Sequence, residues 1–238
     1  MAWREWVQDF EIEPSIYAAN FAALGADLER ALDAGARIFH FDVGDGHFVE
    51  PITIGPIVLE SIAPLVHARG AVLDCHLMVD NPEHHFAQIA EAGGDSVTFH
   101  HEVVSDVTAT ATKAREVGLG AGLAFNPESE VAGVVARAEG VDLVLCMSIH
   151  PGYSGQAFMP EALDRIRELR AALADDVYVQ VDGGIKAENE AVVDALGLRF
   201  DDLGAEWPDF RHPRRPEFLL TLPHRHGTSG FFVARLRT

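Results

Sequence analysis

The chain reads as an α/β protein folded as a (β/α)8 barrel, a TIM barrel whose eighth strand and C-terminal segment are atypical or missing. Three observations predict this. Short apolar runs alternate with amphipathic stretches from residue 11 onward, in seven units of roughly 25 residues each, the cadence of strand–helix repeats. The apolar runs are continuous rather than alternating, as in parallel strands covered by helices on one face and packed against each other on the other. Their even spacing favours a closed barrel over an open doubly wound sheet.

The elements follow in order. EIEPSI (residues 11–16) is a short first strand. Asn20 caps a helix whose Phe21, Leu24, Leu28 and Leu32 fall on one face. RIFHFDV is the second strand and GPIVLESIAPLV the helix after it; AVLDCHLMV is the third strand. Asn81-Pro82 supplies an N-cap and first-turn proline for PEHHFAQIAEAG. SVTFHHE, a helix near Asp106–Val117, GLGAGLAF, a helix near Glu128–Ala138 and VDLVLCMS complete six strands. A glycine-rich loop leads to a helix from Pro160 with Leu163, Ile166, Leu169 and Leu173 on one stripe. VYVQVDGG is the seventh strand and KAENEAVVDAL the seventh helix. The eighth strand should stand near residues 198–206, but LRFDDLGAE is too charged for a buried barrel strand. Residues 1–197 are therefore assigned to the barrel and 198–238 to an atypical segment.

Composition narrows the function. The 238 residues, 48% hydrophobic, suffice for one large core. A formal net charge of −19 repels nucleic acid and anionic membrane alike. No apolar run approaches the roughly 18 residues of a membrane span, and the N-terminal stretch lacks a secretory pattern. Two cysteines, Cys75 and Cys146, without CxxC spacing, fit a reduced, cytoplasmic setting with both thiols in the core. The charge is uneven: residues 1–190 hold 11 of the basic and 31 of the acidic side chains, whereas residues 191–238 hold 7 and 6, with four of the prolines.

Chemistry gathers where the strands end. His40 and Asp42 share one face of a strand, His76 closes the next and Asp182 closes the seventh. Any one alone is ordinarily structural. Together, at the strand ends where barrel active sites lie, two imidazoles and two carboxylates make a divalent-metal cage with carboxylates left to move protons. If His76 faces inward, its neighbour Cys75 packs outward. Gly152-Tyr153-Ser154-Gly155 after the sixth strand, and Gly183-Gly184 after the seventh, can offer backbone N–H groups to an anion. Of His100 and His101, one must face the barrel mouth.

Pro14-Ser15-Ile16, HFDVGDGHF (His40–Phe48), ITIGP (Ile52–Pro56), CHLMVDNPE (Cys75–Glu83), MSIHPGYSGQAF (Met147–Phe158) and VDGGI (Val181–Ile185) occur in this order. In them the chain resembles the ribulose-phosphate 3-epimerase family, over roughly residues 11–190. The resemblance implies that His40, Asp42, His76 and Asp182 bind one divalent ion (zinc, iron, manganese or cobalt). It implies that Asp42 and Asp182 are the acid–base pair of a 3-epimerase acting on a phosphorylated ketose through a cis-enediolate. D-ribulose 5-phosphate, giving D-xylulose 5-phosphate, is the expected substrate. By the same resemblance Ser15 and His76 touch substrate near the metal, Met78 and Met147 wall the planar intermediate, and Gly152, Tyr153, Ser154, Gly155, Gly183 and Gly184 hold the phosphate. It also implies a homo-oligomer.

Departures from the family pattern are specific. Gly44 stands where a methionine is usual, so one pocket wall is missing or remade, and the pocket is expected to be open to widening. Ser154 replaces a glycine of the phosphate loop. The Arg-, Pro- and His-rich tail reads either as a frameshift near residues 190–200 or as a specialised segment over the pocket. Three alternatives stand beside the pentulose reading: a 3-epimerase of a hexulose 6-phosphate, a degenerate barrel that binds metal or sugar phosphate without turnover, and a metal-dependent hydrolase or lyase.

Overall fold

The computed structural model describes residues 3–7 and 11–185, together with the two-residue strands Arg199–Phe200, Leu219–Leu220, Phe232–Val233 and Leu236–Arg237. Six parallel strands lie in sequence order: β1 (Ile38–Gly44), β2 (Val72–Met78), β3 (Ser96–His100), β4 (Gly120–Phe125), β5 (Leu143–Met147) and β6 (Tyr178–Asp182). Among the described residues each of these strands pairs only with its chain neighbours, and every crossover carries helix, as parallel pairing demands. The helices are α1 (Trp3–Trp6), α2 (Leu24–Asp33), α3 (Pro56–Ala68), α4 (Phe86–Glu91), α5 (Val107–Glu116), α6 (Val131–Val135) and α7 (Ala162–Ala172).

Between sheet and helices runs the main core. Phe39, Phe41, Leu73, Cys75, Val97, Phe99 and Leu123 point outward from the strands against Leu59, Val66, Ile89, Ala111, Val134, Ile166 and Leu169 of the helices. Cys75 and Cys146 are both buried free thiols, as the sequence predicts.

The inner face curls. Gln180 on β6 reaches Asp74 on β2 at 3.2 Å and Glu13 at 2.5 Å, contacts that cross the interior of a cylinder. Underneath, Trp3 and Trp6 pack with Ile38, Leu143 and Tyr178, the first residues of β1, β5 and β6. A Cβ on Gly120, at the start of β4, would lie 3.3 Å from the Trp3 indole. One helical turn thus plugs the N-terminal end of the barrel.

Several expectations change. The first strand is reduced to one parallel bridge, Ser15 to His40, supported by the His40 N–H donating to the Pro14 carbonyl. Proline at 14 has no N–H to extend that ladder. Asn20 does cap, accepting from the Ala22 N–H, but what it caps is a 3-10 turn (Phe21–Ala23); α2 begins at Leu24 and Phe21 is left 45% exposed instead of on the buried face. Asn81 makes no side-chain cap, and α6 is shorter than its pattern. The seventh helix and most of residues 198–238 lie outside the described residues. Of the short strands there, Arg199–Phe200 pairs antiparallel with Leu236–Arg237, and Leu219–Leu220 with Phe232–Val233; none of the four joins the six-stranded sheet.

Candidate active site

Alternation along the strands decides which side chains line the barrel. On β1, His40 and Asp42 face inward; on β2, Asp74 and His76; on β3, Thr98 and His100; on β6, Gln180 and Asp182. Register then sets their heights. Asp42 stands opposite His76, and Met147 opposite Asp182. One donor atom from each of His40, Asp42, His76 and Asp182 lies within 4.8 Å of the others, so residues 142 positions apart in sequence meet in one cluster.

The contacts are tight and buried. Asp42 Oδ1 is 3.3 Å from His40 Nε2 and 3.2 Å from His76 Nδ1. Its Oδ2 accepts a 2.7 Å hydrogen bond from the Ser15 hydroxyl. Behind the set, His40 Nδ1 faces Asp74 at 3.5 Å and Glu13 at 3.8 Å. Asp74 also accepts from the Ser96 hydroxyl at 2.6 Å.

These surroundings separate the carboxylates. Burial pushes Asp182 above the usual carboxylate range, and the like charge of Asp42 adds to it. Burial alone would push Asp42 up too. The positive charge of His40, with hydrogen bonds from His40 and His76, outweighs that and holds Asp42 well below the range. Burial raises Glu13 to about 7, even with His40 and Gln180 beside it.

Four donors of mixed nitrogen and oxygen type suit a divalent ion of the zinc-to-manganese class. One further observation fits a ligand there. His40 Nε2 is buried and makes no hydrogen bond, although Asp42 lies close. A buried polar atom of this kind is normally satisfied by a bonded group.

Around this centre Met78 and Met147, both buried, close the ends of β2 and β5. Met147 packs with Ala124, Leu145 and Ile149 on the inner wall. The glycine loops after β5 and β6 touch. A Cβ on Gly184 would lie 2.6 Å from the Phe158 N, and one on Gly183 2.2 Å from Ile149 Cγ1; both have positive φ, so only glycine fits. Gly152 packs against Val49 and Pro51 of the loop after β1, while Tyr153 is exposed and places its hydroxyl 3.3 Å from Glu50. Ser154 and Gly155 are exposed on the same loop. At Gly44 a Cβ would meet Pro51 O and Val49 Cγ2 at 2.9 Å and Thr53 Cγ2 at 3.1 Å. Residues of the 49–53 loop therefore stand directly against the position a Gly44 side chain would take.

Sequence reasoning missed Asp74, Glu13 and Gln180, and left His100 without a role. Asp74 sits two residues before His76, and that spacing was the available signal. His100 is wholly buried, with Nε2 2.9 Å from His76 Nε2; the partly exposed His101 is the one that turns away, to Ser129 and Arg137.

A sequence model of the ribulose-phosphate 3 epimerase family matches residues 11–200, most of the chain and fifteen residues past the end of the motifs above. The ribulose-phosphate 3-epimerase of Escherichia coli (strain K12) is 37% identical over 211 residues, covering 86% of this chain and 93% of that protein. The chain belongs to the ribulose-phosphate 3-epimerase family. Other relatives of that name include one from Serratia marcescens, 36% identical over 86% of this chain and all of its own length. The ribulose-phosphate 3-epimerase 1 of Cupriavidus necator is 38% identical over 78% of this chain and 79% of its own. Among solved structures, a mutant tryptophan synthase alpha-subunit from the hyperthermophile Pyrococcus furiosus superposes with a TM-score of 0.58. It is 17% identical and covers 80% of this chain and 84% of its own, a likeness of fold alone. No helix among the described residues is long and apolar enough to cross a membrane.

Proposed function

We propose that this family member is a metal-dependent 3-epimerase that interconverts D-ribulose 5-phosphate and D-xylulose 5-phosphate. The observation that carries the reading is the convergence of His40, Asp42, His76 and Asp182 within 4.8 Å around the unpartnered His40 Nε2. These four residues would hold one divalent ion (zinc, iron, manganese or cobalt), which would supply positive charge against the negative charge of a cis-enediolate.

The two aspartates move the proton. Asp42 comes from β1 and Asp182 from β6, so they approach a sugar at the mouth from different strands. One carboxylate removes the C3 proton and the other delivers a proton to the opposite face, inverting C3. Because the reaction is reversible, each serves as base in one direction and acid in the other. The Ser15 hydroxyl fixes one oxygen of Asp42, and with His76 lies next to the reacting carbons. Met78 and Met147 give the planar intermediate an apolar wall. Backbone N–H groups of Gly152, Tyr153, Ser154, Gly155, Gly183 and Gly184 receive the phosphate, which needs no charged side chain there. We assign residues 198–238 to a segment separate from the barrel, which is supported by the four short strands described there pairing with one another and not with the six-stranded sheet; limited proteolysis should cut near residue 198 and leave the barrel.

Incubation with ribulose 5-phosphate in deuterated water tests the assignment. Deuterium should enter at C3 only. Exchange should stop with chelator and fall about 10²- to 10⁴-fold in Asp182→Asn. Metal binding without exchange would instead favour a degenerate barrel that binds without turnover.

A further inference from the structure

The ends of β5 and β6 meet at one hydroxyl. Ser148 follows the last residue of β5 and is wholly buried. Its N–H donates to the Asp182 carbonyl at 2.8 Å, which continues the β5–β6 ladder by one step. Its side chain adds a contact that the ladder does not require. Ser148 Oγ lies 2.7 Å from the Asp182 carbonyl oxygen and 2.6 Å from the Gly183 carbonyl oxygen. A hydroxyl has one proton, so the two carbonyls share it. The Ser148 carbonyl in turn accepts from the Met159 N–H at 2.9 Å, where the loop carrying Gly152 to Gly155 returns.

Gathering two successive carbonyls on one atom fixes what lies opposite them. In a trans peptide the C=O and the N–H point in opposite directions. With the Asp182 and Gly183 carbonyls turned to Ser148, the N–H groups of Gly183 and Gly184 are turned away from it. The Gly183 N–H faces the Asp182 carboxylate. The Gly184 N–H is the next donor along, and successive backbone donors of this kind cradle anions. Both glycines have positive φ, 107° and 64°. Glycine adopts either sign of φ freely, so the direction of these peptides is set from outside, and the Ser148 hydroxyl holds both. Without it the buried Gly183 carbonyl loses that donor, a loss the glycine pair can relieve by turning.

We infer that Ser148 is a positioning residue for the site: by holding the Asp182 and Gly183 carbonyls, its hydroxyl turns the Gly183 N–H toward the Asp182 carboxylate and the Gly184 N–H toward the place of a sugar phosphate's anion. It acts through the backbone of its neighbours and joins the proton-transfer end of the site to the phosphate end. The consequence for phosphate rests on the epimerase reading above; the direction of the two N–H groups does not.

Ser148→Ala in the full-length chain is the test, since residue 148 keeps its backbone bond to Asp182. A crystal structure of the variant should show the Gly183–Gly184 peptide turned from its wild-type direction. With zinc supplied, inhibition of C3 exchange by inorganic phosphate should weaken about 5- to 100-fold, the range for a buried acceptor left without its donor. The KM for ribulose 5-phosphate should rise alongside it. Ser148→Thr restores the hydroxyl and should return the peptide and most of the phosphate inhibition, which repacking alone would not do. Should Ser148→Ala fail to fold, Ser148→Cys keeps the shape with a weaker donor and should give the same changes at smaller size. An unturned peptide in a folded variant without the hydroxyl overturns the inference, whatever the kinetics. A turned peptide with phosphate inhibition unchanged upholds the hold on the backbone and rejects only the phosphate role of Gly184. A wild type without C3 exchange rejects the epimerase reading and leaves the crystallographic comparison to decide this one.

Discussion

The two ends of the barrel are built from opposite materials. At the N-terminal end of the strands, Trp3 and Trp6 close on Ile38, Leu143 and Tyr178, an apolar seal with a single ionisable ring among them. At the C-terminal end, Asp42, His76, His100 and Asp182 crowd into an equally buried space. Apolar burial stabilises the fold directly, whereas buried ionisable groups persist only because each is matched by a partner. Stability should therefore depend on the sealed end and turnover on the ionisable end, with little exchange between them.

The sharpest way to break that division is to substitute at the reactive end. Asp182→Asn should lower C3 exchange by about 10²- to 10⁴-fold while leaving the melting temperature unchanged or raised, since Asp182 is a carboxylate held under like-charge repulsion from Asp42. A large fall in melting temperature would show that the site also supports the fold. Next in size is Trp3→Ala, at the other end. It should cost about 3–5 kcal/mol of stability by chemical denaturation, with turnover per folded molecule unchanged. Because the Trp3 indole N–H is buried without a partner, Trp3→Phe should cost less than the alanine change.

Gly183→Ala probes packing at the ionisable end, in the turn that follows β6. The added Cβ would collide with Ile149 at a φ of 107°, for a loss of about 2–4 kcal/mol. Gly155→Ala, with positive φ but open space around it, should cost about 1 kcal/mol. Ser15→Ala removes the hydroxyl that holds Asp42 at 2.7 Å. A loss of about 1.5–3 kcal/mol from the transition state is expected, the range for a hydrogen bond to a charged group, seen in kcat more than in KM.

The smallest effect is a pH dependence. Burial would raise Glu102, but donors from His100, Ser129 and Asn126 outweigh it and hold the carboxyl down to about 2. A group lowered on folding contributes stability that is complete above its unfolded value near 4.5 and lost as pH falls toward 2. Acid unfolding of the wild type should therefore steepen between pH 4.5 and 2, and Glu102→Gln should flatten that window.

How much of this was legible in the sequence follows from which forces act locally. Strands β1 to β6 and the outward turn of Cys75 come from local patterning, and all appear as read. The four-residue cluster was legible because Asp182 ends β6, Asp42 and His76 stand two residues before the ends of β1 and β2, and His40 lies two further back on the same face of β1. Glu13 and Gln180 were not legible: their roles exist only once β6 curls round to face β2. His100 shows the same limit, since its partnership with His76 depends on the β2–β3 register and not on either strand by itself. The Trp3–Trp6 plug gave no signal beyond an aromatic pair three residues apart. Phe21 went the other way, because a capping asparagine marked the helix start three residues too early.

The central claim is that one divalent ion in the four-residue set, with Asp42 and Asp182 as proton carriers, accounts for turnover. The most direct measurement is C3 deuterium exchange of ribulose 5-phosphate by metal-stripped chain as zinc is added stepwise. The account predicts a rate that rises linearly to one equivalent of ion per chain and is then flat, and no rate at any zinc level when both aspartates are changed to asparagine. Exchange that is independent of added ion, or that survives the double substitution, would contradict it.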